Sequence, residues 1–87
     1  MADDPDFDVE ALQRQLAGIG VEQFLVSAAS TIASLAYAKL ERDDLPQAKK
    51  AIDALAALVP QLEGELADDL ALALTRLQLA YADAASG

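Results

Sequence analysis

The chain contains no cysteine, no histidine and no tryptophan, and only two Phe and two Tyr among its 87 residues. Without thiol or imidazole groups, a disulfide framework, ordinary structural zinc, a thiolate nucleophile and a histidine-activated serine are all excluded. Positive charge is scarce as well: six Lys and Arg stand against fifteen Asp and Glu, a net charge of −9. Six scattered cations cannot build a phosphate-neutralising patch, and an anionic bilayer surface repels such a chain. Neither nucleic acid nor membrane is therefore expected as a partner. Val, Ile and Thr, the residues that favour strands, together number only nine.

What is present is alanine (20 residues) and leucine (15), which supply most of an apolar fraction of 54%. Both are leading helix formers, so the composition points to an all-α chain. At this length one domain is expected, and burial of apolar surface only just offsets the entropy of ordering the chain. A core rich in alanine is thin, so a second copy of the chain is expected to complete it.

Read along its length, the sequence divides into an acidic leader over residues 1–7, expected to be flexible, and one helical domain over 8–87. The leader begins Met1-Ala2-Asp3-Asp4 and shows neither the basic start nor the apolar run of a signal peptide, so a cytoplasmic location is expected. Its acids Asp3, Asp4 and Asp6, with Asp8 just after them, do not belong to a calcium loop, because no glycine and distal Glu follow at the required spacing. A short helix at about 8–18 follows, with Asp6 or Asp8 as its N-cap, Val9, Leu12, Leu16 and Ile19 on one face, and Gly18 or Gly20 as its stop.

Three long helices are predicted after it, at about 21–41, 45–63 and 67–84. The first is uncharged between Glu22 and Lys39 and apolar over more than half its circumference, which predicts a central helix buried on several sides. That window is too short for a membrane span and carries Ser27, Ser30, Thr31 and Ser34. These four lie on a narrow stripe of small residues, where another helix can approach closely and the hydroxyls can bond back to the preceding turn. The stripe or its flank is expected to be a self-association surface.

The next helix carries the clearest rhythm in the chain: Leu45, Ala48, Ile52, Leu55, Val59 and Leu62, spaced by threes and fours. Asp44 and Gln47 have capping-box spacing at its start. Pro60 should kink it or end it early, and Gly64 is its natural stop. The last helix should start near Asp68, with Leu66, Leu70, Ala73, Leu74, Leu77 and Tyr81 turned inward. Leu72 and Leu79 point almost the opposite way and are expected to touch a second chain.

No constellation for catalysis is visible. Asp53, Glu63, Asp68, Asp69 and Asp83 are expected at solvent-facing or helix-end positions, and no serine has a base to activate it. There is no phosphate-binding glycine loop, so no enzyme activity, cofactor or metal is expected. The acyl carrier proteins are also small, acidic and helical, but they need an Asp-Ser pair for their prosthetic group, and this chain has none.

The stretch Asp44-Leu45-Pro46-Gln47-Ala48-Lys49-Lys50-Ala51-Ile52-Asp53-Ala54-Leu55 resembles the core of the domain-of-unknown-function 1844 family of small bacterial proteins. Phe24-Leu25-Val26-Ser27-Ala28-Ala29-Ser30, Gly64-Glu65-Leu66 and Leu77-Gln78-Leu79-Ala80-Tyr81 are similar to further elements of that family, so the resemblance covers about residues 21–83. Gln78 stands where the family usually has Arg, and the interval from Gly64 to Tyr81 is about one helical turn shorter. The resemblance implies a bacterial, cytoplasmic helical protein and carries no activity with it. It draws attention to Asp53, at the border of the buried stripe, as an acceptor for a neighbouring hydroxyl or helix N-terminus. Taken together, the expectation is a small all-α bundle that works as a self-associating protein-interaction or assembly module, a dimer in preference to higher oligomers. A carrier of an apolar small molecule held within the bundle is the alternative.

Overall fold

The computed structural model describes residues 8–87. They form α1 (Val9–Ala17), α2 (Val21–Glu41), α3 (Leu45–Leu58), a single 3-10 turn (Val59–Gln61) and α4 (Glu65–Ser86). The chain is an all-α bundle, with no strand among the described residues. The expectations placed on the acidic leader, Asp6 as a cap among them, lie outside the described residues.

Helices α2, α3 and α4 pack against one another. The packing sets small residues against large ones. On α2 the buried positions are Ala29, Ala33 and Ala36, and α3 and α4 fill the space before them with Ile52, Leu55, Leu70 and Leu77. Alanines at the contact let α2 come close, and the leucines interdigitate in the space so created. Of the ten buried hydrophobic residues five are alanine, which makes the core as thin as the composition suggests. Only Leu55 and Leu77 are large side chains buried completely.

The connection between α2 and α3 is closed by two backbone bonds. Asp44 N–H donates to Lys39 O at 2.9 Å and Asp43 N–H to Leu40 O at 3.0 Å, with Asp43 at φ 59°. This is a Schellman ending, in which a left-handed residue, most often glycine, turns the chain out of the helix. Asp44 then caps α3 at once, its carboxylate accepting from Gln47 N–H at 3.4 Å.

Four expectations need correction. Helix α3 ends at Leu58 and not near residue 63, the early end that Pro60 was expected to cause, because Pro60 cannot donate to the carbonyl of Ala56 and the chain tightens into a 3-10 turn. Gly64 does not stop that helix but starts the next one: at φ 90° and ψ −170° it occupies a region essentially reserved for glycine. With that turn in place α4 begins at Glu65, earlier than the Asp68 pair suggests. Lastly, α2 is not buried on several sides. Its apolar arc is buried along the alanine line and half-buried at Leu25, Val26, Ile32 and Leu40, while Val21, Phe24 and Leu35 remain exposed.

Candidate functional site

Helix α1 owes its existence to local capping. The Asp8 carboxylate accepts from Glu10 N–H at 3.0 Å and from Ala11 N–H at 3.3 Å, satisfying two donors that the first turn leaves unpaired. At its other end Gly18 N–H donates to Gln15 O and Ile19 N–H to Leu16 O, after which Gly20 admits the extended backbone that starts α2. The two helices meet at 104° across this Gly18-Ile19-Gly20 elbow.

The elbow turns α1 away from the bundle. The helix contains no buried residue and makes no more than a marginal contact with the others. Its stripe of Val9, Leu12 and Leu16, continued by Ile19, faces no partner and is 40–51% exposed. The projection is visible in the dimensions: the radius of gyration is 16.3 Å, against about 12 Å for a compact chain of this length.

Beside the elbow lies a groove of about 650 Å³, floored by Ile19, Phe24, Val26 and Leu66 and rimmed by Glu22, Glu63 and Glu65. A second, apolar hollow of about 240 Å³ sits in the crook itself, between Leu16, Ile19, Val21 and Phe24. One hydrogen bond holds the groove's two walls together: the Glu22 carboxylate at the start of α2 accepts from Glu63 N–H at 3.0 Å. Glu22 is seven residues before the buried Ala29, hence on the inward face of α2, and that position is the signal by which the sequence could have disclosed its role. The groove depends on Leu66, which was expected inside. It lies in the first turn of α4 and is 56% exposed, and its neighbour Ala67 takes the buried position.

The residues singled out from the sequence are placed as follows. Ser27, Ser30, Thr31 and Ser34 are all exposed on α2, the Thr31 hydroxyl donates to Ser27 O at 3.0 Å, and Ser27 also lines the groove. Leu72 and Leu79 are 51% and 66% exposed on the outer face of α4. The serine stripe and the leucine pair belong to outward faces of different helices and do not merge into one patch within a chain. Asp53 does not reach a neighbouring helix, as expected of it. It is exposed and pairs within α3 with Lys49, Nζ to Oδ2 2.8 Å, because an i, i+4 lysine on the same face is nearer than any hydroxyl or helix end. That hydrogen bond, and then the charge of Asp53, hold the Lys49 ammonium above its ordinary value. Asp53 and Gln78 nonetheless line one shallow cavity of about 160 Å³ between α3 and α4, with Tyr81.

The chemistry available is limited by exposure. Asp53, Glu63, Asp68, Asp69 and Asp83 are all solvent-facing. Among the described residues no group of acidic side chains is arranged to hold a metal ion, and no polar side-chain atom is buried without a partner. Among the described residues no single helix is long and apolar enough to cross a membrane. In comparisons with known proteins no family model matches the chain, and neither does any curated protein or solved structure.

Proposed function

We propose that the protein is a non-enzymatic module that acts by protein contact, and that its first contact is with a second copy of itself. The observation that carries this reading is the uncovered apolar surface at the elbow, from Leu12 and Leu16 of α1 to Phe24 and Leu66 of the groove. Val9, Ile19 and Val21 extend this uncovered surface, at 43–72% exposure, and large exposed apolar surface of this kind marks contact sites. Leu72 and Leu79 add a second strip on α4, available to a further chain or another protein. A bacterial, cytoplasmic setting and membership of the domain-of-unknown-function 1844 family belong to the same proposal and rest on the motifs quoted above.

The carrier reading has one observation in its favour, the 650 Å³ groove, and its chemistry is restricted. Three carboxylates on the rim repel a fatty acid or phosphate headgroup, which leaves neutral or cationic apolar molecules. The bundle interior gives it less support, since Ala29, Ala36, Ala48, Leu55 and Leu77 are fully buried.

Light scattering coupled to size exclusion tests the main reading. The expected mass is twice 9.1 kDa. The dimer fraction should rise with salt, because screening weakens the repulsion between two chains of charge −9. A monomer independent of concentration and salt would sink the proposal. Co-purified lipid or another small molecule seen on that monomer by native mass spectrometry would then favour the carrier.

A further inference from the structure

We propose that the groove beside the elbow receives a basic amphipathic helix of another protein, its apolar side chains on the floor of Phe24 and Leu66 and its lysines or arginines against Glu22, Glu63 and Glu65. This goes beyond self-association, since the partner is a different molecule.

Charge selects the occupant. Three carboxylates rim the groove, and among the described residues no Lys or Arg lines it or the adjoining hollow. None of the three belongs to the ion pair found among the described residues, which joins Lys49 to Asp53 on α3. Cations do stand at other hollows of the same chain, Lys49 between α3 and α4 and Lys50 between α2 and α3. The unrelieved acidity is thus a property of this groove, beyond the net charge of −9 that the whole chain carries. Glu22 and Glu65 lie in the first turns of α2 and α4, where the helix dipole favours negative charge, so the rim is acidic without cost to the fold. A second copy is the wrong occupant here, because its α1 would bring the exposed Asp8 carboxylate, one turn before Leu12 on the same face, to that rim. A cationic partner is attracted instead, at a distance by the net charge and at contact by the rim.

Shape selects a helix over a small molecule. The apolar floor does not end with the groove: Ile19 and Phe24 line both it and the adjoining hollow, where Leu16 and Val21 continue the surface. A strip running from Leu66 past Phe24 to Val21 offers successive anchor points to side chains spaced by threes and fours, which is how amphipathic helices lie in apolar grooves. A small molecule held in the groove alone would leave Leu16 and Val21 bare. Floor and rim divide the work between them, the floor supplying burial and the rim rejecting acidic helices.

The test uses the full chain and a dye-labelled synthetic peptide with leucines at spacings of three and four and lysines on both flanks, read by fluorescence anisotropy. The expected result is saturable binding that weakens about tenfold between roughly 0.05 and 0.3 M salt, opposite in sign to the salt response of the dimer. Glu65→Gln and Glu63→Gln should each weaken it several-fold; Glu63 gives its backbone N–H to Glu22, so the bond between the walls survives the substitution. Leu66→Ser should weaken it about tenfold. Asp83→Asn, the same loss of charge at the exposed far end of α4, should leave it unchanged. Circular dichroism checks that each variant folds. No binding of the peptide overturns the proposal. So does equal binding of a peptide of the same composition with its leucines scrambled, or equal weakening by D83N and E65Q, either of which shows attraction to the general charge alone. Binding of a single-chain quaternary ammonium amphiphile without binding of the peptide overturns it in favour of the carrier. Light scattering on the chain without peptide decides self-association by itself, so the failure of one reading is told apart from the failure of the other.

Discussion

Helices α1 and α3 are both short, both capped by an aspartate and both striped at spacings of three and four, yet they end in opposite situations. The stripe of α3 is covered by α2 and α4, with Ala48, Ile52 and Leu55 buried, whereas among the described residues nothing buries the stripe of α1. Local sequence therefore decides that each is a helix and which face is apolar. It does not decide whether that face finds a partner. The joints decide that: Asp43 and Asp44 fold α3 back along α2, while Gly18-Ile19-Gly20 swings α1 outward.

The contrast can be attacked from both sides. The largest effect belongs to the bundle: Leu77→Ala removes a completely buried side chain from a thin core and should cost about 2–4 kcal/mol. A thermal melt should show Tm falling by about 10 °C or more for a domain of this size. In α1, Leu16→Ser should leave the melting of isolated chains unchanged but weaken pairing by at least about tenfold, since each two-fold contact loses the leucine twice. Sedimentation velocity over a dilution series reads that change, and a drop in monomer Tm instead would show that α1 packs on its own bundle. The smallest effect belongs to the joint. Asp43→Gly relieves a left-handed residue with a side chain at φ 59° and should stabilise the chain by about 0.5–1 kcal/mol. No gain in Tm would mean that the Asp43 side chain compensates locally.

The helices themselves were legible because alanine and leucine recur with a 3.6-residue period and the caps are written in Asp8 and Asp44. What was illegible follows from two kinds of ambiguity. A helix apolar nearly all round does not say which side is core, so the alanine line of α2 could not be separated from Val21, Phe24 and Leu35. The glycine at 64 reads equally well as the end of one helix or the start of the next, and only its φ of 90° with ψ −170° distinguishes them. Placing α4 from the Asp68 pair hid the role of Leu66. Ser27 of the serine stripe lines the groove, but the groove was not legible, because its walls come from residues about 40 apart, Glu22 and Glu63.

The tight joint between α2 and α3 also fixes an order of events in time. With Asp44 closing one helix and opening the next, the most extensive packing in the bundle, α2 on α3, joins neighbours in sequence, and helical bundles rich in such contacts fold within microseconds to milliseconds. Two proteins meet at about 10⁵–10⁷ M⁻¹s⁻¹, which at micromolar concentration is seconds to tenths of a second. Each chain therefore finishes its bundle long before it meets another. The elbow is therefore a finished surface before any other molecule reaches it.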